Sequence, residues 1–326
     1  MNIKHIVCRI VKERSPALYF ILFIAVLAVI AVIFHFITGN MFLEAMNVRA
    51  IVSNAIYPTF IAWGLCFMFA CGYTDLSVGS VVILGSFATG AFGNIYGYMG
   101  VLLGGLVVAT VLILFNFVVF AFTRIPSWIA SISLAMIYEA LAVFLRANRA
   151  TRPYIDAELS REFRALGQIP LNVILLVACF ALVYLVYNKT SIGVNIRAIG
   201  GSKHVSQALG INVLRTLLWV GLICGLLVGA ASVFQQSYNV RTTVMPGLTS
   251  IQIIFKPLSI VFLAQILQKR INIIIAVPFC SLIIYGVFNA MAFLGVPSGT
   301  LQDVVLCIFL IVFGVGGQRG VKEVVK

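Results

Sequence analysis

Long apolar stretches separated by short polar, glycine-rich and basic joints make up most of the chain. Runs with few or no charges fall at about 17–37, 50–70, 77–95, 99–122, 127–145, 171–187, 214–234, 251–267, 271–293 and 300–317. Each is close to the roughly 20 residues that an α-helix needs to cross a hydrocarbon core ~30 Å thick. Lipid cannot satisfy open backbone groups, so such segments must be helices or strands of a closed barrel. Barrel strands would alternate apolar and polar positions over successive segments, and these runs do not. The pattern predicts an all-α polytopic membrane protein with about ten transmembrane helices, built as a single domain over residues 1–326.

Composition removes the main competing classes. Of the 326 residues, 62% are hydrophobic and 10% charged, with a mean hydropathy of +1.12. A soluble domain carries about 25% charged residues, so soluble enzymes, disordered regulators and nucleic-acid-binding domains are excluded. The net charge of +13 sits mostly between the apolar runs, where it acts as a topology signal and calls for no nucleic acid. With the N-terminus inside, Lys4, Arg9, Lys12, Arg14, Arg124, Lys189, Arg197, Lys203, Arg215, Lys269 and Arg270 face the cytoplasm, as do Arg319, Lys322 and Lys326. Arg49, Arg146, Arg149, Arg152, Arg161, Arg164, Arg241 and Lys256 are left outside. The bias predicts cytoplasmic N and C termini in the inner membrane. The run from Ala17 to Ile37 is too long for a signal-peptide core and reads as a retained first helix. The cysteines and histidines are dispersed, with no ligand spacing, so no metal site is expected.

Two connections are long. The outer loop, 146–170, mixes both charge signs and suits a short surface helix. The inner loop, 188–213, contains Gly200-Gly201, expected to break the chain, Ser202 as an N-cap, a two-turn helix from Lys203 to Leu209, and Gly210 as its C′ residue. Val205, Ala208 and Leu209 give that helix one apolar face suited to a groove on a cytoplasmic protein.

The inner loop resembles the cytoplasmic coupling loop of ABC-importer permeases of the ribose and simple-sugar class, within the branched-chain/ribose permease superfamily. That pattern runs A-I-G-G-N-x-x-A-A-x-x-x-G-I-N. The chain supplies Ala198, Ile199, Gly200, Gly201, Gly210, Ile211 and Asn212, and departs at Ser202 and at Val205-Ser206. A second stretch, Cys71 to Ser80, is similar to the family's G-G-I-D-L-S-V-G-S through Gly72, Asp75, Leu76, Ser77, Val78, Gly79 and Ser80. Asp75 is expected either to cap a helix starting at Leu76 or to line a translocation path. Asn54 and Asn116 are further candidates for the path lining. Glu139 and Asp303 read as interfacial. The family's later glycine-rich turn, G-G-T-S-x-x-G-G-x-G, is absent, since Phe262 to Asn272 holds no glycine. One explanation is a divergent member of a heteromeric permease pair.

The resemblance implies a type II ABC-importer-like bundle and a permease subunit that moves a simple sugar (ribose-, xylose- or galactose-like) by alternating access. Residues Gly200, Gly201, Ser202, Lys203, His204, Val205, Ala208, Leu209, Gly210 and Ile211 would couple it to an ATPase subunit. The chain carries no Walker A pattern, so it is not expected to be an enzyme or to bind a cofactor, and ATP and Mg²⁺ would sit on the partner. Other implied partners are an extracytoplasmic sugar-binding protein, a second permease copy and the lipid bilayer. A nucleoside or other small polar solute, and a stand-alone secondary carrier, remain as alternatives.

Overall fold

A computed structural model describes residues 16–123, 125–147, 158–240, 242, 247–297 and 299–322. Lys4, Arg9, Lys12 and Arg14, and the outer-loop stretch 148–157, lie outside the described residues. The elements are α1 (Pro16–Ile37), α2 (Ala45–Ala70), α3 (Val78–Thr123), α4 (Ser127–Ala147), a 3₁₀ turn (Arg161–Gly167), α5 (Leu171–Lys189), α6 (Ser191–Gly201), α7 (Lys203–Ala208), α8 (Val213–Asn239), α9 (Ile251–Leu267), α10 (Ile273–Phe293) and α11 (Thr300–Lys322). Six helices, α2, α3, α4, α5, α8 and α10, are long and apolar enough to cross a membrane, and apolar stretches of α1, α9 and α11 are shorter. The described residues form helices and turns without strands, and the chain is a multi-pass membrane protein.

Helix α3 takes up two of the apolar runs. Its 46 residues would make a straight rod ~69 Å long, more than twice the hydrocarbon thickness. At Gly97 the backbone leaves the helical region, with φ 64° and ψ −147°, and the two halves fold back on each other. Glycines set their separation. A Cβ at Gly100 would lie 2.0 Å from the Phe92 carbonyl oxygen, and one at Gly104 would lie 2.8 Å from that of Ala88. The second half of α3 then packs along α8 through the same device. Gly105 faces Thr89 and Val233, Gly225 lies against the Thr110 backbone, and Gly229 against that of Leu106. Small residues let helices approach closely in lipid, where apolar burial supplies little drive and packing must supply it.

Helix α2 is the inner post. In its most apolar stretch 83% of the residues are buried, against 17% for α5, which faces outward. Phe60, Trp63 and Phe67 are fully enclosed. The Trp63 indole N–H donates to the Ile274 carbonyl at 3.1 Å, tying α2 to the start of α10. We call base the end that holds the α2–α3 turn, the start of α4 and helices α6 and α7, and tip the end that holds Gly97, the 3₁₀ turn and the end of α8. At the tip, Tyr98 Oη donates to the Glu162 carbonyl at 2.6 Å and the Leu159 N–H to that of Val240 at 3.2 Å.

Several sequence expectations shift. The outer loop does carry a short helical turn, of the 3₁₀ type. The inner loop holds two helices, because Thr190 Oγ1 accepts from the Gly193 N–H and starts α6 ahead of the expected one. The glycine-free stretch 262–272 forms an ordinary turn, closed by Asn272, whose side chain caps α10 and donates to Asn188 Oδ1 at 2.7 Å. Lys256 lies inside α9, not in an outer loop, with its ammonium 4.7 Å from the Phe288 ring centre and 5.4 Å from that of Tyr285. Because the hairpin in α3 depends on backbone contact at Gly100, Gly100→Val is expected to cost about 1–3 kcal/mol from overpacking. A lowered midpoint in thermal unfolding of the detergent-purified protein would record it.

Candidate functional site

The Cys71 to Ser80 motif makes a tight reversal at the base. Helix α2 ends in a left-handed glycine, Gly72, at φ 80°. The Gly72 N–H donates to the Phe69 carbonyl at 3.0 Å and the Tyr73 N–H to that of Met68 at 3.0 Å, the paired bonds of a Schellman stop. The Thr74 N–H then donates to Ser127 Oγ at 3.1 Å, which pins the turn to the first residue of α4.

Asp75 lies beneath this reversal with no exposed surface. Its Oδ1 accepts from the Ser77 N–H at 2.8 Å and from Ser77 Oγ at 2.7 Å. Its Oδ2 accepts from Asn116 Nδ2 at 2.8 Å, and the same amide donates to Ser77 Oγ at 2.6 Å. Tyr138 Oη closes the set by donating to Asn116 Oδ1 at 2.6 Å. The turn, α3 and α4 are thus joined by three side chains, Ser77, Asn116 and Tyr138, around one carboxylate. The Ser77 carbonyl accepts from the Val81 N–H at 3.0 Å, so the helix starts at Val78, two residues later than expected. Asp75 serves as the side chain of an Asx turn just outside the helix, near the positive end of its dipole. Burial pushes the Asp75 carboxyl above its ordinary value, and the hydrogen bonds from Ser77 and Asn116 oppose that rise.

At the base, α6 brings the second motif to the first. Gly200 and Gly201 are the last residues of α6 and do not break the chain; the break falls on Ser202, at φ −160°. Gly200 has a different task. A Cβ there would lie 2.0 Å from the Ala70 carbonyl oxygen, and a Cβ at Gly72 would lie 3.8 Å from the Gly200 Cα. The two sequence motifs, more than a hundred residues apart, therefore meet backbone to backbone. Burial pushes the Cys71 thiol up to about 12, while the Lys203 ammonium draws it down.

Beyond Gly200, Ser202 Oγ accepts from the Val205 N–H at 3.4 Å and starts α7. Ser206 is buried, whereas Val205 is 58% and Leu209 73% exposed, and Lys203, His204 and Ala208 are also exposed. Gly210, at φ 82°, ends α7 as a second Schellman stop, with the Ile211 N–H donating to the Ser206 carbonyl at 3.0 Å. Asn212 then caps α8 by accepting from the Arg215 N–H at 3.0 Å.

Asn54 and Asn116 do not come together. Asn116 is fully buried in the Asp75 cluster, whereas Asn54 donates to Tyr238 Oη at 3.3 Å on the tip side. There Tyr238 lines a cavity of about 380 Å³ with Arg49, Ser53 and Gln168. Sequence reasoning missed Tyr138, which reads as one more apolar residue of its span, and it missed α6 altogether. Glu139, read as interfacial, is buried within the bundle, and Thr249 and Ser250 donate to its carboxylate.

If the cluster depends on Asn116, Asn116→Leu strips a donor from a buried carboxylate and leaves Tyr138 Oη only its longer bond to the Leu112 carbonyl, at 3.4 Å. The expected loss is about 1–3 kcal/mol, and Tyr138→Phe should cost less. Thermal unfolding of both purified variants checks the order.

Similarity to known proteins identifies the family. The L-arabinose transport system permease protein AraH of Escherichia coli is 30% identical over 198 residues, covering 59% of this chain and 58% of that protein. The galactose/methyl galactoside import permease protein MglC of Haemophilus influenzae is 26% identical over 233 residues, 65% of this chain and 68% of that one. The fructose import permease protein FrcC of Rhizobium meliloti is 27% identical over 219 residues, 63% and 60% of the two. No solved structure gives a significant match. A family model matches residues 47–314, a span that takes in the Asp75 turn, both base helices and α8 to α10. The chain belongs to the family described as branched-chain amino acid transport system / permease component.

Proposed function

We propose that the chain is the membrane-spanning subunit of an ATP-driven importer for a simple sugar. The relatives named as arabinose, galactose and fructose permeases support the solute class. The observation that carries the coupling is the contact of Gly200 with Ala70. It makes the exposed α7 and the buried Asp75 turn parts of one mechanical train.

In this reading a separate ATPase subunit covers the apolar face of Val205, Ala208 and Leu209 and holds the ATP and Mg²⁺. An extracytoplasmic binding protein delivers solute at the tip, and a second permease copy, identical or not, completes the pathway. Ten spans would put both termini on one side, and the basic residues would make that side, with the base, the cytoplasmic face of the inner membrane. When the ATPase closes, α7 moves with it. Because α6 ends against the α2 carbonyl at Ala70, that motion bears on the α2–α3 turn. The turn is tied through Asn116 and Tyr138 to the second half of α3 and to α4, so these tilt together. Alternating access then follows from rigid helices moving about packed joints. Catalysis of ATP hydrolysis lies outside this chain.

The test is reconstitution. The chain with its ATPase and binding protein in proteoliposomes is expected to take up sugar only with ATP, and the chain alone to take up none. Proline cannot adopt the φ of 82° held by Gly210, so Gly210→Pro should bring uptake to background while ATP hydrolysis continues. Leu209→Asp should weaken ATPase binding about tenfold, ~1.4 kcal/mol. Uptake by the chain alone, or normal uptake by Gly210→Pro, rejects the coupling scheme.

A further inference from the structure

Glu139 is a buried carboxylate in the middle of α4 that the scheme above does not use. It is 3% exposed. Its Oε1 accepts from the Thr249 N–H at 3.2 Å and from Thr249 Oγ1 at 3.1 Å, and its Oε2 accepts from Ser250 Oγ at 3.0 Å. Ser250 stands immediately before α9 and gives that helix no side-chain cap, since its hydroxyl is turned to Glu139. The first turn of α9 closes on itself, with the Gln252 N–H donating to the Thr249 carbonyl at 3.2 Å and the Ile253 N–H to that of Ser250 at 3.2 Å.

Two consequences follow from this placement. Helix α8 ends at the tip, beside the 3₁₀ turn, whereas Thr249, Ser250 and the start of α9 lie beside the middle of α4. With 17 residues, α9 is ~25 Å long, shorter than the ~30 Å core it would otherwise cross. Non-helical backbone at that depth is tolerated only where protein satisfies it, and Glu139 does so at Thr249. The start of α9 also meets the start of α3. A Cβ at Gly79 would lie 2.0 Å from the Ser250 carbonyl oxygen. Neighbouring residues of α4 thus hold two helix beginnings that touch: Tyr138 holds α3 through Asn116 and Asp75, and Glu139 holds α9.

We infer that Glu139 is a positioning residue that locks the start of α9 to the start of α3, so that the two helices and α4 move as one body. The inference rests on the importer reading for its purpose but not for its geometry. A carboxylate suits the task because two oxygens can take three donors, and its charge lies near the positive end of α9. Motion entering at the 71–77 turn would then reach α9 at once, without passing through the helix ends at the base.

Amide hydrogen exchange on the intact permease–ATPase complex tests this without any solute. In the wild type, segments 78–81 and 248–252 are expected to be protected together and to change together when ATP is added. Glu139→Ala should raise exchange about tenfold in 248–252 and also in 78–81, since Gly79 rests on the freed peptide. Glu139→Gln keeps an acceptor for Thr249 and a donor for Ser250 and should restore both. If Glu139→Ala does not assemble, Ser250→Ala removes one of the three bonds and should loosen both segments to a smaller degree. A purely local role would free 248–252 alone, and that result, or an ATP response in 72–78 with none in 248–252, overturns the inference. A wild-type complex in which no segment responds to ATP would instead reject the importer reading, and the paired protection of the two segments would still stand or fall by itself.

Discussion

A carboxylate sealed inside an apolar bundle is the constraint from which the base of this protein is built. Asp75 must keep both carboxyl oxygens engaged, because an unpaired buried charge costs far more than the packing around it can return. Satisfying it requires Ser77 from its own turn, Asn116 from the descending half of α3, and Tyr138 from α4 to orient the amide. Those three positions cannot drift apart without exposing the charge. The α2–α3 turn therefore behaves as a rigid piece of the bundle, and whatever presses on it moves all three.

Close backbone approach is the second half of the design, and it is used where force would have to pass. Gly200 seats α6 on the end of α2, and Gly79 seats the start of α3 on Ser250. A side chain at either place would interpose a flexible layer; bare peptide against peptide leaves none. The same economy appears in the α3 hairpin and along the α3–α8 seam, where glycines set the spacing of whole helices. The polar links beside these contacts, Asn116 to Asp75 and Thr249 to Glu139, supply direction that packing alone lacks.

The missing glycine-rich turn between α9 and α10 gains a plain account from the structure. The stretch 262–272 closes as a capped turn on Asn272 and Asn188. Close approach in this half of the molecule occurs instead at the beginning of α9, where Gly79 supplies the glycine from another helix.

Hydropathy alone determined the class of protein and where its apolar helices lie, because lipid leaves a chain little choice beyond closed helices. Turn chemistry was legible for the same local reason: Ser202 and Gly210 act on their own neighbours, and α7 formed where its caps indicated. The sequence did not disclose that Gly200 continues a helix and seats it on Ala70, that Asn116 bonds to Asp75, or that Glu139 is buried. Each of these depends on a partner far along the chain. A carboxylate in an apolar run announces that it needs donors, but only the packing of α4 against α3 and α9 decides which donors they are.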